Sequence, residues 1–308
     1  MKKKILIVGS SNVDFVLGVR EMPRPGETLL SVSFDNVPGG KGANQACACG
    51  KLGGDSTFLS CVGNNAQGRM LLDSLQGAGV DTQYMRILEN VPTGMAFITV
   101  NAAGENEIVV VPGANALCDI HYFEACRRVL EGADIVLAQL ETPVEDVYAL
   151  LKAAKAMGKT TILNPAPAPD CLPEDVLPAI DWLTPNETEL GKLTGMPTET
   201  LEEIHLAAQK LLDKGVGHVL VTIGSRGVYL CGPEGAGQYP TIKVTPVDTT
   251  AAGDTFNAGF AVGLSEGMLP AQAIALANRA ASISVTRKGA QTSIPTREEV
   301  EKAQAAPK

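Results

Sequence analysis

Apolar residues recur along this chain in two rhythms. From residue 130 onward, short solid apolar runs alternate with segments whose apolar positions return every three or four residues. ADIVLAQLE (133–141), TTILNPAP (160–167), DWLTPN (181–186) and HVLVTIG (218–224) are runs of the first kind and predict buried strands. PVEDVYALLKAAKAMG (143–158) and TETLEEIHLAAQKLLDKG (198–215) are of the second kind and predict helices, the former with Pro143 at its first turn and Gly158 at its end. Ile5–Val8, behind three lysines, predicts one more buried strand and is too short for the apolar core of a signal peptide. Strands alternating with helices over short links build a parallel sheet covered on both faces, with right-handed crossovers. Ligands of such sheets sit beyond the C-terminal ends of the strands.

The first third of the chain has a different texture. FVLGVREMPRPGETLLSVSFDNVPGG (15–40) and GMAFITVNAAGENEIVVV (94–111) are extended, partly alternating segments, the second turning at Asn101–Gly104. They predict a small antiparallel sheet projecting from the main one, a lid over a site or an oligomer edge. No internal repeat and no interdomain linker interrupts the 308 residues, so one domain is expected, with lid segments at about 15–36 and 94–111.

Charge narrows the partners. The formal net charge is −9 and the isoelectric point about 5.0, which disfavours a general grip on nucleic acid or an anionic membrane. An anionic ligand must then be held by local features. The seven cysteines are odd in number and form no Cys-x-x-Cys pair, so buried thiols in a reducing cytoplasm are expected. Three histidines, none beside another candidate ligand or nucleophile, make a histidine triad or zinc site a poor fit.

Four stretches can carry chemistry. In VDTTAAGDTF (247–256), Asp254 follows Thr249, Thr250, Ala251, Ala252 and Gly253, and Phe256, Phe260 and Leu264 then recur at helical spacing. The first N–H groups of a helix lack partners and its dipole is positive there, so bare backbone can receive an anion. An ordinary N-cap also explains an Asp here, but capping does not need three small residues in a row. VPGGKGANQA (37–46) is a second glycine-led helix start; it lacks the spacing of a Walker A loop, and Lys41 and Asn44 stand at its mouth. In GSSNVDF (9–15), Asn12 and Asp14 share a face if the segment is a strand, and a polar turn explains them equally well. In TPNETEL (184–190), Asn186 and Glu189 have capping-box spacing, while a carboxylate beside an anion hole also suits Mg²⁺ held through water.

GSSNVD, PGGKGANQA, AQLE, TPNETE, VTIGSRG, DTTAAGDTF and VTRKGAQ occur in the order found in the ribokinase-like sugar kinase family, which the chain resembles from about residue 4 to residue 300. The resemblance implies a three-layer α/β/α domain around a mostly parallel sheet, with a β-sheet lid that also forms a homodimer contact. It implies transfer of the ATP γ-phosphoryl group to the 5-hydroxyl of D-ribose. Carried over by position, Asp254 resembles the catalytic base, with Ala251, Ala252 and Gly253 as the anion hole. Asn12, Asp14, Gly40, Lys41, Asn44 and Glu141 resemble the sugar contacts, together with the intervening Val13, Gly42 and Ala43. Asn186, the loop Thr222, Ile223, Gly224, Ser225, Arg226 and Gly227, and Asn278 resemble the nucleotide contacts, joined by Gly253 and Asp254. Glu189 resembles the residue that helps hold Mg²⁺. Asp248, Thr250, Ser284, Arg287, Gly289 and Ser293 resemble a monovalent-cation site for K⁺, built largely from backbone carbonyls. Without the resemblance, a local turn cap is the plainer reading of Asp248.

Two other readings stay open at this point. A related sugar or nucleoside kinase would share the phosphate machinery and differ in its pocket. A nucleotide- or sugar-binding module without catalysis would not need Asp254 behind an intact small-residue turn.

Overall fold

The structure is a computed structural model that describes residues 2–305. The chain opens with β1 (Ile5–Val8), β2 (Asn12–Gly18), β3 (Ser33–Gly39) and α1 (Lys41–Lys51). There follow β4 (Ser56–Leu59), β5 (Cys61–Gly63), α2 (Ala66–Gly77), β6 (Arg86–Leu88), β7 (Gly94–Val100) and β8 (Asn106–Val111). The middle holds α3 (Ile120–Ala125), α4 (Arg127–Gly132), β9 (Ile135–Ala138), α5 (Val144–Ala156), β10 (Thr160–Leu163) and β11 (Trp182–Leu183). Then come α6 (Glu187–Thr194), α7 (Leu201–Leu212), β12 (His218–Thr222), β13 (Val228–Gly232) and β14 (Gly235–Tyr239). The last three elements are α8 (Ala252–Ser265), α9 (Pro270–Ser284) and α10 (Arg297–Ala305).

The main sheet has the order β14-β13-β12-β11-β10-β9-β1-β4 and is parallel from β4 to β12. Alternate residues of each strand feed different helix layers, because successive side chains leave a strand on opposite faces. Ile5, Ile7, Ile135, Leu137, Ile162 and Leu220 pack in one cluster with residues of α1, α2, α8 and α9. Leu6, Val8, Val136, Ala138, Leu163 and Val219 point the other way, into clusters shared with α3 to α7. Helix, sheet and helix therefore form three layers. Both faces of the central strands are covered, which explains why they read as solid apolar runs rather than as alternations.

The strands are shorter than those runs. β10 ends at Leu163 and β11 at Leu183, so Asn164, Thr184 and Asn186 lie just beyond the sheet. β13 and β14, an antiparallel hairpin added to the sheet edge, were not foreseen from the pattern.

The segments expected to form a lid make a separate four-stranded sheet, β3-β2-β7-β8. It corrects one expectation: the two hairpins are antiparallel within themselves, but β2 and β7 pair in parallel, Asn12 opposite Gly94 and Gly18 opposite Val100. The connection explains this. After β3 the chain runs through α1 to β6 in the body of the molecule and re-enters the lid from the same end as before. Each hairpin thus leaves the body on its first strand, and those two outgoing strands meet.

Candidate active site

Every cluster of polar residues named from the sequence, except the far loops, follows the C-terminal end of a strand. Ser10 and Asn12 follow β1, Glu141 follows β9, Asn164 follows β10, Asn186 follows β11, and Thr222 ends β12. Two helix N-termini close over this edge. The first is α1, entered through Gly40 at φ 85°, a conformation in which a side chain is strained; a Cβ there would lie 2.7 Å from the Asn12 nitrogen. A Cβ on Gly42 would lie 2.6 Å from the Gly9 carbonyl carbon, so glycine lets the first turn of α1 rest on the end of β1.

The second N-terminus is α8. Ala251 caps it in the left-handed conformation (φ 59°, ψ 13°), without a side-chain cap. Holding alanine there costs about 1–2 kcal/mol. The conformation turns the chain so that the first-turn amides face a cavity of about 220 Å³, lined by Lys41, Asn164, Glu189, Thr222 and residues 251–254. The expected anion hole needs one correction. The Ala252 N–H already donates to the Thr249 carbonyl at 3.2 Å, closing the turn. Among the described residues, the N–H groups of Ala251, Gly253 and Asp254 make no hydrogen bond, so those three are the donors that remain.

Asp254 is buried on the first turn of α8, and both its oxygens accept from α1. Asn44 Nδ2 donates to Oδ2 and Gln45 Nε2 to Oδ1, each at 3.0 Å. Burial pushes the Asp254 carboxyl above the usual range, while the Lys41 ammonium and the two amides oppose that rise. Lys41 is the hub of the charge. Burial alone would lower its ammonium, yet the carboxylates of Asp254, Glu141, Glu189 and Asp14 together raise it. Glu141 in turn accepts from Ser10 Oγ at 2.6 Å and from the Lys41 backbone N–H at 3.0 Å. Asp14 is raised to about 7, by burial first and then by Glu141 and Asp254. Asp14, Glu141 and Asp254 gathered around one ammonium leave excess negative charge beside α1. Hydroxyl donors suit such a place.

Asn12 and Asp14 lie on β2 and share a face of the lid. Asn115 Nδ2 donates to Asn12 Oδ1 at 2.7 Å, which leaves the Asn12 amide nitrogen as its free group. Asn44 Oδ1 is buried with no hydrogen-bond partner among the described residues, so an acceptor is on offer beside Asp254. Val13, Gly42 and Ala43 are buried backbone neighbours of these side chains.

The nucleotide candidates separate into two groups. Asn186 and Glu189 form a true capping box on α6, the Asn186 N–H donating to Glu189 Oε2 at 2.8 Å and the Glu189 N–H to Asn186 Oδ1 at 2.7 Å. Both also line the cavity, so capping and site-facing roles coexist. Thr222 bridges to Asn186 and lines the cavity too. Ile223, Gly224, Ser225, Arg226 and Gly227 form the tight turn after β12, outside the cavity wall, with Arg226 paired to Glu187. Asn278, on α9, donates to the carbonyls of Tyr239 and Pro240 at 3.4 and 3.3 Å; it holds the chain leaving β14 and does not line the cavity.

The cation candidates come together at the entrance to α8. Asp248 accepts from the N–H groups of Thr250 and Gly289, both at 2.9 Å, and the Val285 carbonyl accepts from the N–H groups of Val247 and Asp248. Ser284 and Ser293 are buried nearby in the chain, while the Arg287 side chain turns away to pair with Glu299. Among the described residues no three His, Cys, Asp or Glu side chains group as a metal cage, and no helix is long and apolar enough to cross a membrane.

Several buried residues beside the site were not singled out from the sequence. Gln45, Gln139, Asn164, Thr184 and Asn257 form a buried polar layer beneath Asp254, linked by Gln139→Gln45, Gln45→Asn164 and Thr184→Asn257 hydrogen bonds. Polar residues inside or just after solid apolar runs were the clue available, because a buried amide needs a partner.

Known proteins share the sequence and the fold. The model of the pfkB family of carbohydrate kinases matches residues 2–297. A ribokinase of Haemophilus influenzae is 40% identical over 302 residues, covering 97% of each chain. Among solved structures, Arabidopsis thaliana ribokinase complexed with ribose and ATP is 37% identical, covers 100% of both chains and superposes with a TM-score of 0.91. Thermotoga maritima ribokinase is 40% identical, covering 99% of this chain and 100% of its own, with a TM-score of 0.90. The chain belongs to the pfkB family of carbohydrate kinases.

Proposed function

We propose that this chain phosphorylates the 5-hydroxyl of D-ribose with ATP, giving D-ribose 5-phosphate and ADP. The observation that carries this reading is Asp254, a buried carboxylate with both oxygens held, adjoining three unpaired helix N–H groups. Phosphoryl transfer needs in-line placement and neutralised oxygens more than covalent help. The N–H groups of Ala251, Gly253 and Asp254 face the charge that builds on the phosphoryl oxygens. A carboxylate is a weak base toward an alcohol, so Asp254 accepts the proton late, as the new P–O bond forms. Asn12 and Lys41 offer donors, and Asp14, Asn44 and Glu141 offer acceptors, to the ring hydroxyls. The Arabidopsis complex with ribose and ATP supports that substrate pair.

The donor set fits Mg²⁺ held through water. Glu189 uses one oxygen in its capping box and turns its other oxygen to no described partner. Mg²⁺ keeps several waters and shares phosphate oxygens rather than filling a protein cage. When bound, it neutralises charge on the β- and γ-phosphates. The Asp248–Thr250 turn and the Ser284–Ser293 segment, already joined through Gly289, suit K⁺ with backbone carbonyls as ligands and Asp248 as compensating charge. Asp248 ties the Thr250 turn to Gly289, and an ion held there would add to the ordering of the turn that aims the α8 amides. Two copies pair through the lid, whose Phe34, Val109 and Val110 are 59%, 66% and 53% exposed.

Three measurements check this. ADP release should follow addition of D-ribose, with kcat/KM at least about tenfold above that for 2-deoxy-D-ribose, because a polar site loses heavily when its partner hydroxyl is missing. Equal values would strip Asn12 and Asp14 of a reading role, and no release with any sugar or nucleoside would leave a binding module. Replacing potassium by a bulky organic cation at constant ionic strength should lower turnover about tenfold; an unchanged rate rejects the cation site. Sedimentation at micromolar concentration should show a dimer, and a monomer there removes the lid contact.

A further inference from the structure

Gln45 does not line the cavity, and its side chain is fully buried on α1. Its amide is nevertheless saturated, and every bond leads to the site. Nε2 donates to Asp254 Oδ1 at 3.0 Å and to Asn164 Oδ1 at 3.1 Å, while Oε1 accepts from Gln139 Nε2 at 2.5 Å. The orientation is forced by chemistry. An ionised carboxylate only accepts, so Gln45 must turn its nitrogen to Asp254, and Gln139 must then donate to the oxygen that remains. Gln139 is itself fully buried, and its Oε1 has no partner among the described residues. A buried amide with an unmade hydrogen bond destabilises the fold, and packing alone would be served better by methionine or leucine.

We propose that Gln45 is a positioning residue for the Asp254 carboxylate, fixing its rotamer and keeping it ionised, with Gln139 locking Gln45 in turn. The proposal rests on the reading of Asp254 as the proton acceptor. The charged groups facing Asp254 from neighbouring elements are Lys41 of α1, Asp14 of β2, Glu141 beyond β9 and Glu189 of α6. Burial drives the Asp254 carboxyl upward, and Gln45 is among the groups that restrain it. Gln45 therefore helps decide how far down in pH the base survives.

The test titrates Asp254 directly, by carboxyl NMR of protein carrying ¹³C-labelled aspartate, the signal being assigned by its loss in Asp254→Asn. In Gln45→Met the midpoint should rise by about one to two pH units, the worth of a hydrogen bond to a charged group. Gln45→Glu, which can accept from Gln139 but sets a like charge beside Asp254, should raise it at least as far. Gln139→Met, reaching Asp254 only through Gln45, should give a smaller shift of the same sign. With ribose and ATP, the acidic limb of kcat should move upward in step, with the KM for ribose within about twofold. Midpoints at the wild-type value in the Gln45 variants overturn the proposal, as does a fall in kcat with an unmoved limb. Should Gln45→Met not fold, Gln45→Glu and Gln139→Met carry the same decision. The NMR shift does not depend on turnover, so a wild-type protein inert toward ribose would remove the substrate reading while the titration still judged Gln45.

Discussion

As the proposed base, Asp254 has to remain a carboxylate while buried among Asp14, Glu141 and Glu189, and the groups around it bear on that demand. Burial and like charge both favour protonation, which would abolish a base. The opposing attraction comes from Lys41 and from the Asn44 and Gln45 amides, all three on the first two turns of α1. One helix thus supplies the counter-charge and both carboxylate clamps. That arrangement works only if the α1 start lies against the end of β1, which Gly40 and Gly42 permit. It also requires α8 to present Asp254 and its free amides side by side, which the left-handed Ala251 achieves.

The same geometry divides the expected contacts between two sets of residues that meet at Asp254. The cavity wall includes α8, α6, the end of β12 and Lys41, whereas Asn12 and Asp14 of β2, Asn44 of α1 and Glu141 stand outside it. Lys41 reaches both, touching the cavity while interacting with all four carboxylates. In the proposed reaction an alcohol at Asp254 would meet a phosphoryl group at the adjoining α8 amides, so that proximity contributes to catalysis.

Much of this was legible in the sequence because the signals were local. Ile5–Val8 and strands β9 to β12 announced themselves as apolar runs, and bare backbone ahead of Asp254 announced a helix start with open amides. Asn186 and Glu189 were readable as a capping box, and the structure gives them that role together with a place in the cavity wall. What escaped was long-range. The parallel pairing of β2 with β7 depends on where the intervening chain re-enters the lid, and no residue in either strand encodes that. The engagement of the Ala252 N–H with Thr249 depends on the exact turn closed before α8. Gln45 and Gln139 lie inside the PGGKGANQA and AQLE stretches, but their pairing arises only when residues 94 positions apart meet under Asp254.

The most direct measurement of the central claim is steady-state and single-turnover kinetics of Asp254→Asn with ribose and ATP. The asparagine keeps the shape and one acceptor oxygen but cannot take the proton. The account predicts a kcat lower by about two to four orders of magnitude, with ribose binding largely intact. Turnover near the wild-type value would contradict it.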